Sequence, residues 1–146
     1  MKISIIYASW FNNGKKAVEE LAELLKKKGH DVIIYSANSG LSLKIQPSDF
    51  YIFSSPTRKF SLPAEIKKVL SDFYPYREGE KYALITTYMD PRTIALKKMD
   101  AILAKKKMVK SANDLKIKIK GLKGPLEENY ADMVNKFAED ICSSLS

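Results

Sequence analysis

A chain of 146 residues, 45% apolar and 29% charged, is long enough for one real core and too hydrophobic to be disordered. No apolar run approaches the roughly 18 residues of a membrane span. The single cysteine cannot form an internal disulfide. The N-terminus, with one Lys and about five apolar residues, is too short for a secretory signal, so a reducing cytoplasm and no membrane partner are expected. The net charge of +8 comes almost wholly from lysine. That favours solvated surface over base readout by arginine forks, so no specific nucleic-acid partner is expected.

Ile3-Ser4-Ile5-Ile6-Tyr7 is a short, mostly β-branched apolar run and predicts a buried strand. Ser9, Asn12, Asn13 and Gly14 then mark a loop, and Ala17, Val18, Leu21, Ala22, Leu24 and Leu25 recur at helical spacing. Lys26-Lys27-Lys28 suits a helix C-terminus, and Gly29 reads as its stop; His30 reads as a surface residue. Val32 to Tyr35 predict a second strand, and residues 36–47 a loop or one short turn of helix.

Asp49 to Ser54 predict a third strand, apolar throughout and therefore central. Residues 55–61 form its exit, and Leu62-Pro63-Ala64-Glu65 opens a helix with Ile66, Val69, Leu70 and Phe73 as its buried stripe. Tyr82 to Thr87 predict a fourth strand with Tyr88-Met89 as its exit. Asp90-Pro91 reads as an N-cap followed by Pro at the first helical position, ahead of a helical face of Ile94, Ala95, Leu96, Met99, Ile102 and Leu103. Lys105-Lys106-Lys107 falls at the end of that helix, where cations suit the dipole. Leu115, Ile117 and Ile119 alternate with lysines, as in a half-exposed edge strand. Gly124-Pro125 is expected to start the last helix, with Tyr130, Val134, Phe137, Ala138 and Ile141 inside and Cys142 as a small core residue near its end. No repeat or linker interrupts the chain, so residues 1–146 read as a single domain.

Alternating strands and helices imply a parallel sheet with right-handed crossovers and helices on both faces. Lysines place the last strand at an edge, and the apolar first and third strands at the centre. The order 2-1-3-4-5 of a five-stranded, doubly wound α/β sheet satisfies both. Ligands in such sheets bind at the carboxyl ends of the strands, between strands one and three, where loops 8–14, 54–61 and 87–91 meet. The start of the first helix adds unpaired amides and a positive dipole end, with Ser9, Asn12 and Asn13 as further donors; that suits an anion.

Several chemistries lack their residues. Ala8-Ser9 and Ser54-Ser55 stand where a phosphate-accepting receiver site needs acidic groups. The first loop has no cysteine for a phosphatase, and neither the dinucleotide glycine fingerprint nor an ATP phosphate loop is present. One His and one Cys far apart in the chain give no metal site.

The arrangement resembles the flavodoxin family over nearly the whole chain. Ser9-Trp10-Phe11-Asn12-Asn13-Gly14 matches the family's phosphate loop in length and in its helix start. Ser54-Ser55-Pro56-Thr57, followed by Leu62-Pro63 and a helix, is similar to its second flavin loop. Thr86-Thr87-Tyr88 is similar to the third, which often supplies an aromatic over the ring. The missing second helix is seen in short members. The resemblance implies non-covalent FMN, electron transfer and a redox partner protein. It departs from the family where Phe11 and Gly14 replace hydroxyls and Asn12 replaces a glycine; Asn tolerates the left-handed turn.

Lys15 and Lys16 either serve the phosphate or point to water. Arg58 stands where many members carry an aromatic, and a guanidinium can stack on a ring. Phe60 either contacts the ring or packs under its loop, Trp10 either caps the site or lies exposed, and Tyr88 is the first choice for stacking. With +8 overall, an acidic partner is expected. The alternative reading is a flavodoxin-like scaffold that has lost FMN and serves as a binding or regulatory module.

Overall fold

The computed structural model describes residues 1–37 and 43–145. Strands β1 (Lys2–Tyr7), β2 (Asp31–Ser36), β3 (Phe50–Pro56) and β4 (Lys81–Tyr88) are parallel in the order β2-β1-β3-β4. Two short strands share the fifth position. β5 (Val109–Lys110) pairs with the start of β4 and β6 (Leu115–Lys118) with its end. The expected order holds, with the edge strand split. Lys110 bonds to Asp100 at 2.8 Å and Asp114 at 2.7 Å, which fastens the chain between the two pieces.

Alternation along the strands builds two cores. Ile3, Ile5, Phe50, Ile52, Ala83 and Ile85 face helices α1 (Asn13–Lys27) and α4 (Tyr130–Leu145). Ile6, Tyr51, Phe53, Tyr82 and Leu84 face α2 (Ala64–Asp72) and α3 (Ala95–Ala104). Each fully buried Ile, Leu or Phe in these layers contributes roughly 1.5–3 kcal/mol. The one polar break in β1, Ser4, is satisfied by the Ser48 hydroxyl at 2.6 Å.

Helix ends follow local chemistry with informative exceptions. α1 stops as expected: Gly29, at φ 92°, donates its N–H to Lys26 O. Lys106 does not serve its own helix. Its ammonium bonds to Leu70 O, Ser71 O and Phe73 O, satisfying the last carbonyls of α2. Burial lowers its pKa.

Two expected helix starts are corrected. α3 begins at Ala95 rather than Pro91, because the Asp90 carboxylate accepts from Arg92 N at 2.9 Å and from the Arg92 guanidinium, closing a turn. α4 begins at Tyr130 rather than Pro125. Residues 118–127 instead fold back on themselves, with a bridge between Ile119 and Leu126 and a bond from Glu127 N to Lys118 O at 2.9 Å.

Residues 38–42, inside the stretch expected as a loop or short turn, lie outside the described residues. Beyond them, buried Ile45 is fixed by Tyr76 OH, which donates to its carbonyl, and Gln46 N donates to Tyr35 OH. Cys142 is half-buried and meets His30 at the far end of the sheet, Sγ to Nε2 3.5 Å. Burial, the N-terminal ammonium and Lys28 lower the His30 pKa.

Candidate functional site

At the carboxyl end of β1 the chain turns through Phe11 (φ 58°) and Asn12 (φ 63°), two consecutive left-handed residues without a glycine. α1 then starts with no side-chain cap from Asn12 and no acidic residue in its first turn. The Ser9 hydroxyl reaches back to accept Lys15 N at 3.1 Å. Lys15 and Lys16 are exposed in the first turn. Without an acid or an N-cap side chain, this helix start is left positive and attractive to an anion.

The loop after β3 is a two-residue hairpin. Arg58 and Ser61 exchange both backbone bonds at 2.8 Å, and Lys59 (φ 48°) and Phe60 (φ 68°) form its tip. Positive φ at both tip residues is the signature of the mirror-image hairpin turns and normally calls for Gly or Asn. Phe in that conformation costs on the order of 1 kcal/mol. The surroundings enforce it. Phe60 O accepts Ile94 N at 2.7 Å, and Arg92 Cζ lies 5.2 Å over the Phe60 ring. A chain of threonines ties this loop to its neighbour: Thr57 Oγ1 bonds to Thr86 Oγ1 at 3.1 Å and to Thr93 Oγ1 at 2.8 Å.

Between these loops and residues 119–122 lies a cleft of about 390 Å³. Trp10, Phe11, Asn13, Pro56, Thr57, Arg58, Phe60 and Thr87 line it, together with Lys59, Met89, Asp90, Ile119 and Leu122. Phe11, Phe60, Met89 and Leu122 leave much of their surface exposed there, an apolar rim that a folded chain rarely leaves bare without use. Asp90 is the one acid lining the cleft among the described residues, and the Arg92 guanidinium and amide hold its carboxyl down at about 2. The net charge at the mouth is therefore positive. A shallow depression lined by Phe11, Asn12, Asn13, Lys15, Lys16, Glu19 and Glu20 adjoins the cleft at the start of α1.

A larger groove of about 730 Å³ runs beside α2, between Ile45, Val69, Phe73 and Tyr74. It contains none of the residues from the three loops at the strand ends.

No protein-family model matches the chain, and no curated protein does. Solved structures do. Oxidised flavodoxin 1 from Bacillus cereus superposes over 100% of both chains, with TM-score 0.84 at 16% identity. A flavodoxin from Streptococcus pneumoniae TIGR4 matches over 98% of this chain and 99% of its own, with TM-score 0.80 at 19% identity.

The fold is that of the flavodoxins.

Rubredoxin:oxygen oxidoreductase from Desulfovibrio gigas carries the same fold as part of a longer chain. It aligns with 99% of this chain over 37% of its own length, with TM-score 0.77 at 17% identity.

Set on the flavodoxin fold, most of the sequence-derived site converges, and the exceptions have local causes. Ser9, Asn12 and Gly14 lie outside the cleft lining, at the start of α1. Gly14 is buried there, and a Cβ on it would meet Ala8 O and Ser9 Oγ at 3.6 Å. Ser55 is buried behind the lining, its hydroxyl donating to Pro56 O at 2.8 Å. Tyr88, the first choice for stacking, is corrected: side chains alternate along β4, so Thr87 and Met89 reach the cleft and Tyr88 does not. Its ring lies 4.8 Å under the Lys116 ammonium, and burial raises its pKa. Lys16 is 5.3 Å over the Tyr130 ring.

Sequence reasoning missed Met89, Ile119 and Leu122. Leu122 was findable: an apolar residue within Gly121-Leu122-Lys123-Gly124, a glycine-flanked turn directly after the edge strand, is out of place on a plain surface loop.

Proposed function

We propose that the cleft binds FMN without a covalent link and that the protein transfers electrons to and from partner proteins. One observation carries the reading. Phe11 and Asn13 line both the apolar cleft and the polar depression at the start of α1, where the acid-free first turn carries Lys15 and Lys16 and where Glu19 and Glu20 also contribute to the lining. A ligand that fits both has a flat apolar ring at one end and an anion at the other, as FMN does. The donor set agrees: the first amides of α1 (of which the Lys15 N–H is already taken by Ser9), the Ser9, Asn12 and Asn13 side chains and the Lys15 charge for the phosphate, and a slot of Arg58, Phe60 and Met89 for the ring, with Trp10 in its wall. Ser54 Oγ, buried beside this loop without a hydrogen-bond partner, is a further donor to spare.

FMN supplies the redox chemistry, accepting and releasing one or two electrons. The protein's residues bind, orient and bias it. Helix amides anchor the phosphate, the apolar rim excludes water from one side of the ring, and Thr57 and Thr87 add polar residues to the cleft lining. Arg58 and Lys59 favour the negative charge that reduction places on the ring, a unit charge at 4 Å contributing about 1 kcal/mol in water-like surroundings. For a one-electron couple a tenfold change in equilibrium is ~59 mV, so such a bias is measurable. Exposed Lys15, Lys16, Arg58, Lys59 and Lys123 around the mouth suit an acidic partner, with association slowing as salt rises.

The test is titration of apo-protein with FMN and with riboflavin, followed by flavin fluorescence. FMN is expected to bind more tightly. Equal affinities, or no binding up to ~100 μM, overturn a phosphate-anchored site. A second reading, a flavodoxin-like scaffold without FMN, draws on the loop itself: Ser9 Oγ is already engaged by Lys15 N. Flavin bands in the absorption spectrum of the purified protein separate the two.

A further inference from the structure

One wall of the cleft is assembled from three distant segments. Trp10 comes from the loop after β1, Arg58 from the loop after β3, and Glu65 from the first turn of α2. Glu65 Oε2 accepts the indole N–H of Trp10 at 3.0 Å. Arg58 Cζ lies 4.4 Å over the indole ring. Trp10 and Arg58 both line the cleft, whereas Glu65 lines the groove beside α2.

An exposed arginine on a hairpin has many rotamers open to it and loses that freedom only against a partner. Indole is the strongest of the aromatic partners for a cation. This one cannot turn away, because its edge is fastened to a carboxylate. A guanidinium held on one face offers its other face, planar and charged, to a second ring.

We propose that Trp10 is a positioning residue: pinned by Glu65, it holds the Arg58 guanidinium against the cleft as a cationic platform on which the ring of the bound flavin stacks. This rests on the FMN reading of the cleft. Under it, affinity for the ring and the potential of its reduction share one cause, the placement of a single charge. Trp10 acts on both without itself carrying charge.

Trp10 is the one tryptophan of the chain, so its fluorescence reports this wall directly. Wild type, Trp10→Phe, Trp10→Ala, Arg58→Gln and the Trp10→Ala/Arg58→Gln double variant are compared by FMN titration and by redox titration of the bound flavin. Arg58→Gln is expected to weaken FMN by about tenfold and to lower the potential. Trp10→Ala should shift both in the same direction, Trp10→Phe should retain most of both, and the double variant should be no worse than Arg58→Gln alone. In the apo-protein, Arg58→Gln should change the Trp10 emission. Additive effects of the two single variants, or a loss of affinity in Trp10→Ala with the potential unmoved, overturn the platform and leave FMN binding standing. Failure of wild type to bind FMN overturns the cofactor reading and the platform together.

Discussion

The loops after β1 and β3 each bend through two consecutive residues with positive φ and no glycine, Phe11–Asn12 and Lys59–Phe60, yet they are held in different ways. The second is braced by hydrogen bonds from three directions: its own hairpin pair, the Thr86–Thr57–Thr93 hydroxyl chain, and Ile94 N on Phe60 O. The first has an Asn at one of its two left-handed positions, where Asn is tolerated, and is fixed by contacts at its flanks. Trp10 reaches Glu65, Ser9 accepts Lys15 N, and the Gly124 backbone sits so close to Asn13 that a Cβ at 124 would come within 2.4 Å of its side-chain oxygen. Strain in the second loop is thus imposed by tertiary bonds, whereas in the first it is partly absorbed by residue choice. A rigid second loop suits a ring site, where small displacements matter. A first loop held only at its edges suits an anion that completes the structure when it arrives.

Breaking the braces should have the largest effect. Thr57→Ala removes two side-chain bonds and leaves the Thr93 and Thr86 hydroxyls with fewer partners, so a loss of about 2 kcal/mol is expected in a urea unfolding curve. A loss below a few tenths would show that the hairpin's own backbone pair suffices.

Relieving strain should act in the opposite sense and unequally in the two loops. Phe60→Gly is expected to stabilise the protein by about 1 kcal/mol while weakening FMN, whereas Asn12→Gly should gain only a few tenths. Equal gains, read from paired denaturation midpoints, would contradict the contrast drawn between the loops.

The smallest effect concerns pH. Arg92 braces the tip of the second loop through the Phe60 ring and is itself held by Asp90, whose carboxyl the Arg92 hydrogen bonds push down to about 2. A carboxyl whose folded pKa lies below its unfolded value stabilises the fold above the ordinary carboxylate range, and loses that contribution as pH falls through the folded value, here about 2. The pair is exposed, so the effect on stability is slight. The titration is visible by NMR: the Asp90 midpoint should lie near 2 in wild type and return toward the ordinary carboxylate value in Arg92→Gln. An ordinary midpoint in wild type would mean that Arg92 is free and braces nothing.

Much of this architecture is written in local pattern. The apolar runs at residues 3–7 and 50–53, the helical spacing from Ala17 to Leu25 and the Gly29 stop are each decided within a few residues, and the strand order follows from which runs are apolar throughout. Ambiguity arose where one dipeptide serves two purposes. Asp90-Pro91 opens a helix or a turn, and Arg92, two residues on, decided for the turn by taking the carboxylate. Gly124-Pro125 likewise starts helices and reverses chains. The bridge between Ile119 and Leu126 chose the reversal, and so put Ile119 and Leu122 into the cleft.

The site divides in the same way. The sequence by itself determined where the loops are, that the start of α1 lacks an acid, and that cations crowd the region. All of these are properties of composition and order. Only the tertiary structure decided that Met89 faces the cleft and Tyr88 does not, because strand parity at a sheet's end depends on where pairing stops. It alone decided that Arg58 lies on Trp10 and that Trp10 is fastened to Glu65, contacts spanning 48 and 55 residues. Such contacts carry no local signature: they form because β1 and β3 are neighbours in the sheet, and the loops that leave them cannot avoid one another.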